Sequence, residues 1–426
     1  MRADKPSNLV PRFRFPEFVD EPPWECPPLK KLAKRITQRN TYGAHLRVLT
    51  NSAEHGVVNQ REYFDRDIAT NTDNYFIVKT GDYVYNPRIS STAPVGPISK
   101  NQIGTGVMSP LYTVFRFRSD ANDFFVHYFR SSHWHGYLRR MSNSGARHDR
   151  MAISNDDLMQ MPVPAPSPRE QRKIADCLGS LDDLIAADGR KLEALRQHKQ
   201  GLIQQLFPQP GETQPLLRFT EFRDGPHWEQ AALGALLDRP PEYGVNAAAV
   251  PFSEDLPAYI RITDIDDEGR FVPAPRVSVD IEPTDDQFLQ PGDIVLARTG
   301  ASVGKSYRYR LEDGRLVFAG FLIRVKPNLD RLVPEFLAAY LSTRSYWDWV
   351  RLTSARSGQP GINGSEYASL PLSMPTDAAS LPEQRKIGNC FAVLDEAIAA
   401  QRQRLRALRW HKNGLLQQLF PTPKTT

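Results

Sequence analysis

A stretch of 39 residues occurs twice in this chain. Residues 170–208 read EQRKIADCLGSLDDLIAADGRKLEALRQHKQGLIQQLFP, and residues 383–421 read EQRKIGNCFAVLDEAIAAQRQRLRALRWHKNGLLQQLFP, aligned without a gap at an offset of 213. A second match opens each half, RFPEFVDEPPWE from Arg14 and RFTEFRDGPHWE from Arg218, at an offset of 204. The smaller offset places net insertions in the second half. The middle regions match weakly, most clearly TGDYVYNPR at 80–88 against PGDIVLART at 291–299. Copies that keep one element and diverge in another imply one shared task and two distinct ones.

The shared element has the period of a helix. Ile174, Leu178, Leu181, Ile185, Asp188, Leu192, Leu195, Lys199, Leu202 and Leu206 follow one another at alternating spacings of 4 and 3, an unbroken heptad seam. The second copy repeats it through Ile387, Phe391, Leu394, Ile398, Gln401, Leu405, Leu408, Lys412, Leu415 and Leu419. Both seams are polar at the same two places. Ser167-x-x-Glu170 and Ser380-x-x-Glu383 read as capping boxes, with proline in the first turn, and Leu-Phe-Pro ends each helix. Each helix could pack on its own domain. A rod of about 55 Å is longer than that requires, so the two seams are expected to pack on each other, antiparallel, with pseudo-twofold symmetry.

The chain has 426 residues, enough for two or three domains. No apolar run spans a bilayer, the N-terminal stretch lacks a signal-peptide core, and Cys26, Cys177 and Cys390 are far apart, so a cytoplasmic, membrane-free setting is expected. Residues 1–167 carry 22 basic and 16 acidic side chains, whereas 208–381 carry 17 and 24. Anion binding is therefore plausible on bulk charge for the first part. In the second it is plausible only around Arg298, Lys305, Arg308 and Arg310, a run that could equally be a solvated face.

That run contains RTGASVGKSY at 298–307, whose GKS resembles the end of a phosphate-binding P-loop. The motif requires glycine at 299, which is Thr299 here. The residues after Ser306 alternate like a strand and turn at Asp313-Gly314 rather than entering a helix. The stretch is expected to be a Gly-rich loop between strands. His133 and His135 in HWH have no partner cluster nearby in sequence, and His198 and His411 repeat at equivalent helix positions, which suits a flanking or subunit-facing role. No N-P-P-[FY] or F-x-G-x-G motif for adenine methylation is present, and no helicase motif set.

The doubled EQRKI…LQQLFP helix, the PRFRFPEF…WE opening and GDIVLARTGASVGKSY resemble the specificity (S) subunit of type I restriction–modification systems, along essentially the whole chain. The resemblance implies an α+β chain with an internal pseudo-twofold repeat: two mixed α/β target recognition domains separated by two long antiparallel helices forming a coiled coil. The corresponding domains are 1–166 (first recognition domain), 167–208 (central helix), 209–379 (second recognition domain) and 380–426 (C-terminal helix). It further implies a non-catalytic subunit. Each recognition domain would read one half of an asymmetric bipartite site on double-stranded DNA. The helices would set the gap and dock two methyltransferase subunits, through which restriction–translocase subunits join. S-adenosylmethionine, ATP and Mg are expected on those partners, with no cofactor or metal on this chain. Twofold readers place their heads about one helical turn, roughly 34 Å, apart or multiples of it. The competing reading is a coiled-coil scaffold that joins two protein partners without reading DNA.

Phosphate contacts need Lys, Arg and hydroxyls, and base-edge readout favours Arg or Lys on guanine and Asn or Gln on adenine. In the first head the candidates are Asn86, Arg88, Ser90 and Ser91, with Asn143, Ser144, Arg147, His148 and Arg150. In the second they are Arg298, Thr299, Ser302, Lys305, Ser306 and Tyr307, with Arg356, Ser357, Gln359 and Asn363. The aromatics Tyr346, Trp347 and Trp349 read as helix core rather than a stacking platform.

Overall fold

The computed structural model describes residues 9–41, 46–65, 72–142, 149–355, 358–378 and 380–421. It is an α+β chain of two compact units, one formed by Met1–Asp188 with Arg404–Thr426 and the other by Gly189–Gln403. The heptad pattern folds as two long helices, the central helix Pro168–Leu206 and the C-terminal helix Ser380–Leu419. Every named seam position on both is buried or half-buried.

Within each unit the two helices run antiparallel, because residues rising along one meet residues falling along the other. In the first unit Asp188 pairs with Arg404 at 2.7 Å, and Asp182 with Lys412. In the second, Lys199 pairs with Asp395 at 2.6 Å. Three of the four polar seam positions, Asp188, Lys199 and Lys412, are thus explained. Lys199 and Lys412 lay their apolar stems along the seam and give their ammonium groups to equivalent aspartates on the facing helix.

The helix ends also enter the cores. In the first unit, Ile174 and Leu178 join Leu416, Leu419 and Phe420 in one cluster with Trp24, Phe124 and Tyr128. In the second, Ile203, Leu206 and Phe207 join Ile387 and Phe391 with Trp228, Phe336 and Tyr340. The Leu-Phe-Pro ending therefore does more than stop a helix. Phe207 packs on Trp228 and Phe336, and its repeat equivalent Phe420 packs on Phe124 and Tyr128.

The two matched motifs meet. Arg14 forks onto Glu170 through Nε–Oε1 and Nη2–Oε2 bonds of 2.8 Å each, and Trp24 Nε1 donates to the same carboxylate at 3.0 Å. Arg218 forks onto Glu383 at 2.7 Å through both pairs. This corrects the capping-box expectation. Ser167 Oγ does accept from Glu170 N at 3.3 Å, but the Glu170 carboxylate serves Arg14. Ser380 is already helical, and its hydroxyl donates to Pro375 O. A bidentate, charge-assisted pair outcompetes the local cap.

Each unit carries a four-stranded antiparallel sheet of the same strand order. In the first the order is Ala33–Arg35, Thr113–Phe117, Tyr83–Tyr85, Ile98–Lys100; in the second, Glu242–Tyr243, Leu322–Val325, Ile294–Ala297, Ser306–Arg308. The Gly-Asp shared by the weakly matching regions builds the turn before the third of these strands. Asp82 accepts from Lys79 N at 2.7 Å and is gripped by Arg116, while Asp293 accepts from Gln290 N at 2.9 Å beside Arg324. Gly81 and Gly292 supply the positive φ of 89° and 94° that this turn requires. The second unit adds a sheet in the order Ala249–Pro251, Val277–Val279, Ala258–Ile260, Leu316–Phe318.

Candidate nucleic-acid interface

In each head the structure brings together two candidate stretches that are far apart in sequence. In the first, Arg88 bridges Arg150, with Ile89 N donating to Asp149 O at 3.1 Å and Met151 N to Pro87 O at 2.9 Å. In the second, Thr299 bridges Gly361, with Gly300 N donating to Pro360 O at 3.0 Å and Ile362 N to Arg298 O at 2.9 Å. All four bonds correspond at one offset of 211. The frame is repeated, while the side chains it presents are not.

In the first head Arg88, Ser90 and Ser91 are exposed, and Arg150 is half-buried beside them. They rim a cleft shared with the exposed rings of Tyr63 and Phe64. Asn86 is a correction. It is buried, its Nδ2 donates to Asn51 O at 2.9 Å, and its Oδ1 accepts from Arg88 N at 3.0 Å. With both polar atoms committed, it shapes the turn that presents Arg88. Asn143, Ser144, Arg147 and His148 lie outside the described residues, as do Arg356 and Ser357.

The GKS loop is a hairpin connection, as its alternation predicts. Antiparallel strands Ile294–Ala297 and Ser306–Arg308 flank it, with a 3-10 turn at Gly300–Ser302. Gly304 has φ of 87°, and a Cβ there would lie 2.8 Å from Val350 of the helix Arg344–Thr353, so this end of the loop admits only glycine. Tyr346 on that helix donates to Gly304 O, and Tyr367 donates to Ala297 O, each at 2.7 Å. Tyr346 is fully buried core, as expected, while Trp347 is partly exposed.

The loop divides its candidates between two places. Arg298 and Thr299 join the stretch holding Gln359 and Asn363, both exposed. Asn363 also caps the short helix Gly364–Ala368 through Glu366 N. Ser302 is half-buried in the 3-10 turn. Lys305 and Ser306 instead line a cleft against Arg196, Lys199 and Asp395 of the long helices. Lys305 Nζ bonds Asp267 at 2.6 Å and holds its carboxyl below the usual carboxylate range. Tyr307 is the second correction. It has no exposed surface, it donates to Asp313 at 2.6 Å, and burial raises its hydroxyl pKa first, ahead of that carboxylate. It has no face to offer a ligand.

Asp267 belongs to an acidic turn that fastens this head to both helices within the second unit. Glu268 pairs with Arg196 at 2.6 Å and Arg402 at 2.9 Å, and Asp266 pairs with Arg402 at 2.6 Å. Glu268→Gln is expected to lower stability by about 1 kcal/mol. The loss should shrink in 0.5 M salt because the pairs are partly exposed. Urea unfolding at two ionic strengths measures this, and a loss that grows with salt would count against it.

The histidines behave as structural residues. Burial pushes His135 down to about 4 and also lowers His133. His198 and His411 are exposed on their helices. Among the described residues no group of three or more His, Cys, Asp or Glu is placed to hold a metal, and no helix is long and apolar enough to cross a membrane. Sequence reasoning missed two exposed aromatics beside Arg298. Tyr243 is 49% exposed and Phe321 59% exposed. Neither lies in a basic run, and only their meeting with Arg298 across strands draws notice.

No family model matches the sequence, and no curated protein sequence does. Solved structures match along nearly the whole chain. The S subunit of a type I restriction–modification system from M. genitalium aligns with 98% of this chain and 100% of its own, at a TM-score of 0.61 and 13% identity. A chain from a type I R-M system, described in terms of complex assembly and conformational transition, covers 92% and 96%, at 0.51 and 17%. The HsdS subunit from Thermoanaerobacter tengcongensis covers 94% and 97%, at 0.41 and 16%. The chain thus has the fold of the type I restriction–modification S subunit from end to end.

Proposed function

We propose that this chain is the DNA-specificity subunit of a type I restriction–modification complex and carries no catalytic step itself. The observation that carries this reading is the likeness in fold to an S subunit over 98% of the chain. The repeated frame adds support, because it holds Arg88 and Arg150 in one head and Arg298, Thr299 and Gln359 in the other. Unlike side chains on like frames suit two unlike half-sites. In this reading 1–166 and 209–379 are the recognition domains, and the helices at 167–208 and 380–426 set the gap and dock two methyltransferase subunits. Restriction–translocase subunits would join through the methyltransferases, in the cytoplasm. Arg88, Ser90, Ser91, Arg150, Arg298, Thr299, Ser302, Gln359 and Asn363 remain the described DNA-contact set, with Lys305 and Ser306 at its margin.

The chain co-expressed with its methyltransferase should methylate adenines in a split motif with a gap of about five to eight base pairs. Genome-wide methylation mapping reads this directly, and a continuous palindrome would count against it. DNA binding by the purified complex should weaken steeply with salt, as counterion release requires. A complex that assembles yet shows no salt-dependent mobility shift would favour the scaffold reading.

A further inference from the structure

Of the basic residues around the second head's loop, Arg298 and Arg310 have no carboxylate pair among the described residues, and Arg298 is the one that lies over a ring. Lys305 is held by Asp267, Arg308 by Glu335 at 2.8 Å and Arg324 by Glu242 at 2.6 Å. Among the described residues no carboxylate pairs with Arg298. Its guanidinium instead lies over the Tyr243 ring, 4.9 Å from the centroid. Its backbone is pinned on both sides, N donating to Phe321 O at 3.0 Å and O accepting from Ile362 N at 2.9 Å. Tyr243 also reaches the second candidate stretch, where its hydroxyl accepts from Gly364 N at 3.0 Å. One ring therefore orients the arginine and ties it to the stretch that carries Gln359 and Asn363.

Arg298 Nη1 makes one long contact, 3.5 Å, to Gly320 O, while Nε and Nη2 have no partner among the described residues. A guanidinium resting on a ring offers that remaining N–H fork with little loss of freedom when it is used. Among base edges, the paired acceptors O6 and N7 of guanine match that fork. A phosphate would need only charge, with no ring beneath it.

Resting on the function proposed above, we infer that Arg298, positioned by Tyr243, reads a guanine in the half-site recognised by the second head. The first head has Pro87 at the equivalent place, by the 211 offset, and its arginine one residue later. The guanine requirement at this position therefore belongs to one half-site only.

Methylation mapping of the co-expressed complex tests this with Arg298→Lys, Arg298→Ala, Tyr243→Leu and Tyr243→Phe. Arg298→Lys keeps the charge and removes the fork. It should lower discrimination for guanine at one position of one half-site by about tenfold to a hundredfold, leaving the other half-site unchanged. Arg298→Ala should relax the same position. Tyr243→Leu should relax it partly, and Tyr243→Phe, which keeps the ring, should retain it. A variant that methylates nothing is assayed as purified complex on duplexes bearing each base at that position. Equal loss on all four overturns the inference, and loss confined to the guanine duplex supports it. A wild-type complex with no split motif overturns the underlying function. A wild-type split motif that Arg298→Lys leaves intact, or a relaxed position that is not guanine, overturns this inference alone.

Discussion

Glu170→Ala is expected to destabilise the first unit by about 3–5 kcal/mol, the usual cost of removing one partner from a buried ion pair. The Glu170 side chain is 1% exposed and that of Arg14 7%. Truncation leaves the guanidinium with the carbonyls of Glu21 and Pro22 and the Glu21 carboxylate 4.0 Å away, and leaves the Trp24 N–H without its acceptor. Melting temperature should fall on the order of 10 °C. Glu383→Ala should act likewise on the second unit, through Arg218. It should cost less by about one hydrogen bond, because Trp228 Nε1 makes none among the described residues. Replacing both partners with apolar residues, Arg14→Met with Glu170→Leu, should recover most of the loss. Calorimetry of the three variants decides the matter. If Glu170→Ala melts with the wild type, the join between the opening motif and the helix start has been misjudged.

This pair also marks what was legible in the sequence. Both halves of it were visible as repeated motifs, but 156 residues separate Arg14 from Glu170, and nothing local says that they meet. Local spacing offered Glu170 a cap, and a distant guanidinium took it. The helices were legible because a heptad period is local and long. The bounds Pro168–Leu206 and Ser380–Leu419 follow the proline and Leu-Phe-Pro signals closely. Tyr307 was misassigned although its own alternation held the answer. In a strand the side chains of Ser306, Tyr307 and Arg308 point to alternate faces, and the central one faces the core. The joining of Arg88 to Arg150 and of Thr299 to Gly361 is tertiary. So is the placing of Tyr243 beneath Arg298, where a two-residue strand carries the ring into position.

Deleting residues 186–192 together with 402–408 is expected to abolish modification of the wild-type motif. The cut removes one heptad from each helix and preserves the seam, since Ile185 is then followed at the proper spacing by Leu195, and Gln401 by Lys412. Asp188 and Arg404 leave together; Arg402 leaves as well, so Asp266 loses that pair while Glu268 keeps Arg196. Lys199–Asp395 and Asp182–Lys412 stay in register because equal lengths are lost from antiparallel partners. Seven residues shorten each helix by about 10 Å, close to three base pairs of rise. A heptad nearly preserves the rotational phase of a helix, drifting by about 20°. Three base pairs turn the DNA by roughly 100° at about 10.5 per turn. The heads would then meet half-sites on the wrong face unless the gap changes too. A motif shortened by about three base pairs, or loss of modification with the complex still assembled, agrees with helices that set the spacing. Retention of the original gap at wild-type efficiency would show that the spacing is set elsewhere in the chain.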